Sequence, residues 1–226
     1  MAKLRDPRTI AAANGVASDT AFGAVTPPIH LSTTYSFEGY ERSRTHDYSR
    51  TSNPTRTLLA ETLAKLEAGA GAVVVSSGMA AVDLVFSQLR SDDLVVAPHD
   101  CYGGTHRLLS ARRDRGHFDV LFVDQNDTQA LSEALDHFPA MVLVETPSNP
   151  LMRVVDIRSV AERTGKSGAK LVVDNTFLSP ALQRPLLLGA DYVLHSTTKY
   201  LNGHSDVVGG VAITSDDHVA ERLRFL

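Results

Sequence analysis

The sequence predicts an α/β fold in which a mostly parallel sheet of seven strands is sandwiched by helices. Beyond residue 54, short apolar runs alternate with segments of helical periodicity. The apolar runs occupy residues 72–77, 93–98, 120–124, 141–147, 170–175, 191–198 and 207–214. Because these runs are almost continuously apolar, we expect strands that are buried on both faces, as in a parallel sheet covered by helices.

Helical patterns lie between most of the apolar runs, and also before the first and after the last. The pattern over residues 55–69 ends at Gly69, which we predict to be its C-cap. The other helical patterns occupy residues 78–90, 103–116, 127–138, 156–168 and 215–226. The basic run 111–116 is interpreted as a solvated helix end. Short connections and right-handed crossovers make an open, doubly wound α/β sheet the expected topology.

Residues 1–54 differ in character, and we predict that they form an N-terminal arm before an α/β domain at residues 55–226. The segment has little helical or strand periodicity and is rich in proline, serine, threonine, asparagine and tyrosine. Such a composition does not build a core of its own. Its aromatic side chains favour packing across another surface, because aromatic residues contribute large contact areas at interfaces. These aromatic residues are Tyr35, Phe37, Tyr40 and Tyr48.

The composition excludes several classes of partner and location. The formal net charge of −4 gives no reason to expect nucleic acid or an acidic membrane surface. Cys101 is the single cysteine, so no internal disulfide is possible and a reducing compartment is expected. No apolar run approaches the roughly 20 residues that cross a bilayer, and charged residues interrupt the N-terminus where a signal peptide needs an apolar core. We therefore expect a soluble cytoplasmic protein that binds neither nucleic acid nor membranes.

Two residues at the predicted strand ends carry the chemistry of a carbonyl cofactor. Ligands of open α/β sheets bind beyond the carboxyl ends of the strands. Lys199 follows the run 191–198 and is preceded by hydroxyl residues, which suits imine formation with a carbonyl and hydrogen bonding to a phosphate. Asp174 lies at the end of another run, where a carboxylate can keep the pyridine nitrogen of pyridoxal 5′-phosphate (PLP) protonated.

Two further strand ends add groups that would bind such a cofactor. Ser77 and Gly78 leave a strand and open a helix, where free backbone N–H groups bind phosphate. Tyr102 precedes two glycines and is placed to stack on a flat ring. Each feature alone has an ordinary alternative: a solvated lysine, a capping or loop aspartate, an N-capping serine and a packing tyrosine. Their combination at the ends of one sheet indicates a PLP site.

Six longer motifs resemble the cystathionine γ-synthase/γ-lyase family of PLP enzymes. The motifs are YSRTSNPT (48–55), SSGMAA (76–81), PHDCYGGTHRL (98–108), ETPSNPL (145–151), VVDNTFLSP (172–180) and HSTTKYLNGHSDVVGG (195–210). They run from the arm to the end of the chain, and several are long enough to be specific. The resemblance implies fold type I, the aspartate aminotransferase-like architecture, which agrees with the fold predicted from the apolar runs.

The same resemblance implies roles for individual residues. Lys199 and Tyr102 would be the catalytic residues. The cofactor would be bound by Lys199, Asp174, Tyr102, Ser77, Gly78, Met79, Asn149, Thr176, Ser196 and Thr198. Tyr48 and Arg50 would reach the neighbouring subunit's site and bind its phosphate, which implies a homodimer or homotetramer. Tyr48 and Arg107 would contact the substrate, and no metal would be needed.

The implied reaction is a γ-replacement that condenses O-succinylhomoserine or O-acetylhomoserine with cysteine to give cystathionine, in methionine biosynthesis by transsulfuration. Cystathionine γ-lyase, methionine γ-lyase and O-acylhomoserine sulfhydrylase share the cofactor residues and stay open as alternatives. Relatives are longer than this chain, which ends in a helical pattern without a C-cap. A chain that lacks the small C-terminal domain is therefore expected to catalyse poorly, and an inactive PLP-binding or interaction protein is a further alternative.

Three other classes of protein fit the sequence poorly. Residues 165–167 resemble the end of a phosphate-binding loop, but Val160 occupies the position of the required earlier glycine, and Lys166 is interpreted as a cation at a helix C-terminus. No G-x-S-x-G motif of a hydrolase is present. The histidines lack metal-ligand spacing, and we interpret His99 and His195 as packing or hydrogen-bonding residues.

Overall fold

The computed structural model describes residues 6–226 and contains the predicted sheet of seven strands. The strands are β1 (Gly71–Val75), β2 (Leu94–Pro98), β3 (Asp119–Val123), β4 (Met141–Glu145), β5 (Lys170–Asp174), β6 (Tyr192–Ser196) and β7 (Gly210–Thr214). Every apolar run that we predicted to be a strand overlaps one of them, although β1 and β3 each begin one residue before the run. The strands are shorter than most of the runs, because the polar residues at the end of several runs have already left the sheet.

The sheet is mostly parallel, as predicted, with one strand reversed. Its strand order is β1-β7-β6-β5-β4-β2-β3. The pairs β3–β2, β2–β4, β4–β5 and β5–β6 are parallel, whereas β7 is antiparallel to both β6 and β1. Six strands therefore run in one direction, and β7 alone runs in the other.

Helices cover both faces of the sheet. They are α1 (Pro7–Ala13), α2 (Pro54–Glu67), α3 (Gly78–Phe86), α4 (Gly103–Asp114), α5 (Thr128–Leu135), α6 (Ile157–Ser167), α7 (Ser179–Leu182) and α8 (Asp217–Phe225), with a 3-10 turn at Pro185–Leu188. Alternate residues of each central strand face opposite cores. Val172 packs with α3, α4 and α8 on one face, and Leu171 and Val173 pack with α5 and α6 on the other. The α2 helix covers β1, β6 and β7.

The end of α2 differs from the prediction in one residue. Ala68, with φ of 60°, occupies the left-handed C-cap that we expected at Gly69. The next residue, Gly69, donates its N–H to the Ala64 carbonyl at 2.8 Å and completes a Schellman-type end. A glycine is needed there for space, because a Cβ would lie 2.7 Å from Ile213 Cγ2 on β7.

The arm contains more local structure than the sequence predicted. Helix α1 begins at Pro7, which suits the first turn of a helix, and Asp6 caps it by accepting the Arg8 N–H. The remainder of the arm has isolated bridges, such as Thr34 with Tyr48, but no regular strand within residues 6–53. Its large apolar side chains are mostly exposed, including Phe22, Val25, Ile29, Leu31 and Tyr40.

The interpretation of the basic run 111–116 as a solvated helix end was incomplete. Arg112 makes a bidentate contact with Asp83, in which its Nη2 lies 2.7 Å from Oδ2 and its Nε lies 3.0 Å from Oδ1. This ion pair joins α4 to α3. Lys166, in contrast, lies in the last turn of α6 as interpreted. Within residues 6–226 no helix is long and apolar enough to span a membrane.

Candidate functional site

A cavity of about 240 Å³ opens at the carboxyl ends of the parallel strands. Its lining comes from Ser77, Gly78, Met79, Val82, Tyr102, Thr105, Glu145, Pro147, Asn149, Asp174, Thr176, Phe177, Ser196, Thr198, Lys199 and Val208. All the residues predicted to bind the cofactor within one subunit are in this set. The sheet brings them together because β1, β2, β4, β5 and β6 all end at this edge.

The start of α3 forms a cradle for an anion. Ser77 caps the helix, since its Oγ accepts the Ala80 N–H at 3.1 Å and its carbonyl accepts the Ala81 N–H at 3.1 Å. Among residues 6–226, the N–H groups of Gly78 and Met79 have no hydrogen-bond acceptor. Two free donors at the positive end of a helix are suited to a phosphate group.

Two glycines make this cradle possible. A Cβ on Gly78 would lie 2.6 Å from the Cβ of Ser196 on β6, which is too close for any real pair of carbon atoms. A Cβ on Gly210 would overlap the Ser77 carbonyl. The start of α3 can therefore lie against β6 and β7 only because both positions lack a side chain.

The segment after β6 presents the hydroxyl groups and the amine. Thr176 Oγ1 accepts the Ser196 N–H at 2.9 Å, which ties the end of β6 to the turn after β5. Thr198 Oγ1 accepts the Gly209 N–H at 3.1 Å and lies 3.2 Å from the Gly209 carbonyl. Lys199 is exposed, and no hydrogen bond or ion pair with residues 6–226 holds its amine. The amine is therefore free to react with a carbonyl group in the cavity.

Asp174 ends β5 at the floor of the cavity. Its Oδ1 accepts the Thr176 N–H at 3.0 Å. Burial raises the pKa of Asp174, whereas hydrogen bonds from Thr176 and the nearby His195 act in the opposite direction. A protonated ring nitrogen placed against this carboxylate would favour its ionised form in the same way.

Tyr102 stands at the mouth of the cavity with 46% of its surface exposed. It immediately precedes α4, and the second glycine of that helix gives its ring room. A Cβ on Gly104 would lie 2.5 Å from Tyr102 Cε1 and 3.0 Å from Met79 Sδ. The ring is thus set beside the cradle, with one part of its surface free for stacking.

Glu145 is a cavity residue to which the sequence analysis gave no role. Its Oε2 accepts the Tyr102 N–H at 2.8 Å, and its Oε1 accepts the Asn149 N–H at 2.7 Å. Burial, with the carboxylates of Asp174 and Asp100, raises the pKa of Glu145 to about 7 despite these two hydrogen bonds, which lower it. The signal was available, because an acidic residue ends an apolar strand at this edge. Glu145 fixes two predicted site residues at once.

Three predicted residues lie outside the cavity. Tyr48 and Arg50 are in the arm, where the Arg50 guanidinium lies 5.3 Å from the centre of the Tyr48 ring. Arg50 lines a separate groove beside β1. Arg107 is on the exposed face of α4. Within one chain, therefore, the structure does not bring these three residues to the predicted PLP site.

The histidines do not form a metal site. Residues 6–226 contain no group of three or more histidine, cysteine, aspartate and glutamate side chains that could hold a metal ion. His99 Nδ1 lies 3.2 Å from the Val123 carbonyl, and His195 Nε2 lies 2.6 Å from Glu67 Oε1. Both are hydrogen-bonded, as the sequence analysis interpreted them.

The residues of the cavity fit PLP by their chemistry. The free N–H groups of Gly78 and Met79 suit its phosphate, and Asp174 suits its basic ring nitrogen. The amine of Lys199 suits its aldehyde, and Tyr102 offers a face for its ring.

Comparisons with known proteins agree with this chemistry. The chain is 57% identical over 220 residues to cystathionine γ-synthase of Escherichia coli, covering 97% of this chain and 57% of the relative. It is 41% identical to cystathionine γ-lyase of Bacillus subtilis, with 97% and 58% covered. The crystal structure of cystathionine γ-synthase from Xanthomonas oryzae in complex with aminoacrylate and cysteine superimposes with a TM-score of 0.97, at 52% identity, and covers 99% of this chain and 58% of that one.

These relatives confirm the predicted fold, and they are longer than this chain. It spans somewhat more than half the length of the relatives that it matches. The family model described as Cys/Met metabolism PLP-dependent enzyme matches residues 8–226. The chain therefore belongs to the Cys/Met metabolism family of PLP-dependent enzymes.

Proposed function

We propose that this chain carries the PLP site of a cystathionine γ-synthase, which replaces the γ-substituent of an O-acylhomoserine with the thiol of cysteine. The observation that carries the proposal is the cavity itself, where an unpaired lysine amine, a carboxylate and a phosphate cradle line one space. The choice of reaction rests on the relatives, of which the Escherichia coli synthase is 57% identical. A crystal structure of the Xanthomonas oryzae synthase with cystathionine gives further support.

Each cavity residue that was predicted to bind the cofactor has a defined part in this proposal. Gly78 and Met79 bind the phosphate through their N–H groups, with the hydroxyls of Ser77, Ser196 and Thr198 around it. Asn149 and Thr176 border the ring, and Tyr102 stacks on it. When bound, PLP supplies an electron sink for the bonds at the substrate's Cα.

Two of these residues manage protons. The Asp174 carboxylate keeps the ring nitrogen protonated, which maintains the electron demand of the ring. The Lys199 amine takes a proton from Cα of the substrate and, once that proton has left the amine again, removes a second proton from Cβ. Cleavage of the Cγ–O bond releases the acyl group as a carboxylate, succinate or acetate, and leaves an electrophile to which the cysteine sulfur bonds as its thiol loses a proton. Lys199 is suited to this work because no residue among 6–226 holds its amine elsewhere.

The arm supports a homo-oligomer in which each subunit completes the other's site. Tyr48 and Arg50 lie outside the cavity of their own chain. Several large apolar side chains of the arm, such as Phe22 and Leu31, have more than nine-tenths of their surface exposed. A second copy that covered them would bring Tyr48 and Arg50 to its cavity, and Arg107 would help to bind a substrate carboxylate. We place this enzyme in the cytoplasm, in keeping with its single cysteine.

A γ-lyase is the second candidate, because the Bacillus subtilis lyase is 41% identical to this chain. A lyase would cleave cystathionine to cysteine, a 2-oxoacid and ammonia, whereas a synthase forms cystathionine from two amino acids. Product analysis after incubation with O-succinylhomoserine and cysteine, and separately with cystathionine, distinguishes the two reactions.

The first test of the site is a visible absorption spectrum of the purified chain with added PLP. A band of lysine-linked cofactor is expected, which Lys199→Ala abolishes and Lys166→Ala at the end of α6 leaves unchanged. Borohydride reduction followed by peptide mass analysis should find the cofactor on Lys199. Modification of another lysine, or of none in a folded chain, would refute the site. A linked cofactor without turnover would support the cofactor site and reject the synthase activity of this chain.

A further inference from the structure

The loop after β4, residues 146–155, forms one wall of the cavity, and we call it the wall loop. Two of its residues, Pro147 and Asn149, line the cavity. The large side chains at its tip are turned to solvent, since Leu151 is 60% exposed and Met152 is 59% exposed. A segment with few buried apolar contacts opens easily unless other contacts hold it. The place of the wall loop therefore depends on its polar contacts.

Hydrogen bonds close the wall loop on itself. At its base, the Val155 N–H donates to Thr146 Oγ1 at 3.0 Å. Nearer the tip, the Ser148 N–H donates to the Arg153 carbonyl at 2.9 Å, and the Arg153 N–H donates to Ser148 Oγ at 3.3 Å. Arg153 is thus paired through its backbone with the residue that directly precedes Asn149. A displacement of Arg153 therefore displaces Ser148, and Asn149 with it.

The side chain of Arg153 anchors the wall loop to the sheet. Its Nη2 donates to Asp124 Oδ2 at 2.7 Å and to Oδ1 at 2.8 Å, and its Nη1 lies 3.3 Å from His99 Nε2. Asp124 directly follows β3, and His99 directly follows β2. The hydrogen bonds between Arg153 and Asp124 raise the pKa of the arginine and lower the pKa of the aspartate, so both are charged at neutral pH. The anchor therefore joins the loop to the ends of two strands.

Two further contacts orient the part of the wall loop that faces the cavity. Ser148 Oγ donates to Asp100 Oδ2 at 2.7 Å, and the Asn149 N–H donates to Glu145 Oε1 at 2.7 Å. The side-chain amide of Asn149, in contrast, makes no hydrogen bond with residues 6–226. The backbone of Asn149 is therefore held, while its amide is free for a ligand in the cavity.

We infer that Arg153 is a positioning residue, which through its contact with Asp124 holds the wall loop so that the Asn149 side chain borders the cofactor ring. The last link, from Asn149 to the cofactor, rests on the proposed function. Arg153 does not line the cavity, so its effect on the cofactor has to pass through the loop. A group that is already in place loses less conformational freedom when it binds, and a looser loop therefore weakens binding.

The hold of Arg153 on the loop is tested without the cofactor, by NMR measurement of amide hydrogen exchange. Arg153→Met removes the ion pair and should speed the exchange of the Ser148 and Asn149 N–H groups about fivefold. Arg112→Met is the matched control, because it removes a bidentate pair with Asp83 of similar exposure. The control should leave the exchange of these two N–H groups unchanged. Unchanged exchange in Arg153→Met as well would overturn the inference.

The effect on the cofactor is tested by a double-mutant cycle. Arg153→Met is expected to weaken PLP binding about fivefold, whereas Arg112→Met should leave it unchanged. In the Asn149→Ala background, Arg153→Met should weaken binding less than about twofold, because no amide is left to place. An equal loss in both backgrounds would show that Arg153 supports the fold in general, and the inference would be wrong.

The two proposals fail in different ways. If PLP does not bind to the wild-type chain, the proposed function and the last link are wrong, but hydrogen exchange still decides whether Arg153 holds the loop. If PLP binds through Lys199 and Arg153→Met changes neither exchange nor affinity, the function stands and the inference is wrong. If Arg153→Met does not fold, Asp124→Asn removes the charge on the other side of the pair, and the same results are expected of it.

Discussion

The stability of the apo chain should depend on pH through Glu145, a carboxyl group that is 6% exposed. Burial and neighbouring carboxylates raise its pKa from 4.5 to about 7 in the folded chain. A group with a raised folded-state pKa stabilises the fold fully below its unfolded pKa, and this contribution is lost as the pH rises through the folded value. Glu145 should therefore favour folding at acidic pH and destabilise the fold increasingly between about pH 4.5 and about pH 7.

The magnitude follows from the interval between the two pKa values. At about 1.4 kcal/mol for each pKa unit, the rise from 4.5 to about 7 amounts to a loss of about 3 kcal/mol in the free energy of unfolding. Most of this loss falls between about pH 5 and about pH 8. The free energy of unfolding can be measured throughout this range for the wild-type chain and for a variant without the carboxyl group.

Urea denaturation of the wild-type chain and of Glu145→Gln at several pH values isolates this contribution. The glutamine cannot accept both the Tyr102 and the Asn149 N–H, so the variant has a constant deficit at every pH. The informative quantity is the change in the wild-type-minus-variant difference with pH. Glu162→Gln, an exposed change on α6, should give a difference that is independent of pH. A constant difference for Glu145→Gln as well would show that the carboxyl group is not perturbed.

Three further changes test packing and charge. Gly78→Ala should destabilise the chain by about 1–3 kcal/mol in urea denaturation and weaken PLP binding, because the new Cβ would lie 2.6 Å from Ser196 Cβ. Gly165→Ala, a helical glycine with open space around it, should instead stabilise the chain by about 1 kcal/mol, and a loss there would contradict the packing argument. Arg112→Met should lower the free energy of unfolding by about 1 kcal/mol, because the ion pair with Asp83 is lost. In high salt this decrease should be smaller, because salt screens the pair. An unchanged stability would show that solvent screens this pair.

The sequence predicted the sheet well because buried strands have an unmistakable composition. All seven apolar runs overlap a strand. The pattern could not show that β7 is antiparallel, because direction depends on how a strand is connected and not on which residues it contains. The helix α1 was missed because only Ile10 of its seven residues is buried. A helix of this length has too few buried positions to show a periodicity.

The candidate site was predicted to the extent that its residues occur at strand ends. Lys199, Asp174, Gly78 and Tyr102 were found in this way, and the structure places all four around one cavity. Their individual roles stay predictions. Glu67 was missed because it occurs within an ordinary helical pattern, and its partner His195 is 128 residues away in the sequence. No local signal marks a polar residue whose reason for burial lies in a distant strand.

The position of β7 has a consequence for how the chain is made. Within residues 6–226 the first strand, β1, pairs only with β7, the last strand of this range. A ribosome therefore delivers β1 long before its neighbour, and the five strands β2 to β6 can assemble while β1 still has unpaired N–H and carbonyl groups. Closing such a distant pair is slow, because the intervening chain must be ordered first. Until β7 arrives, the unpaired N–H and carbonyl groups of β1 favour pairing with other chains, so aggregation competes with the closing of this pair.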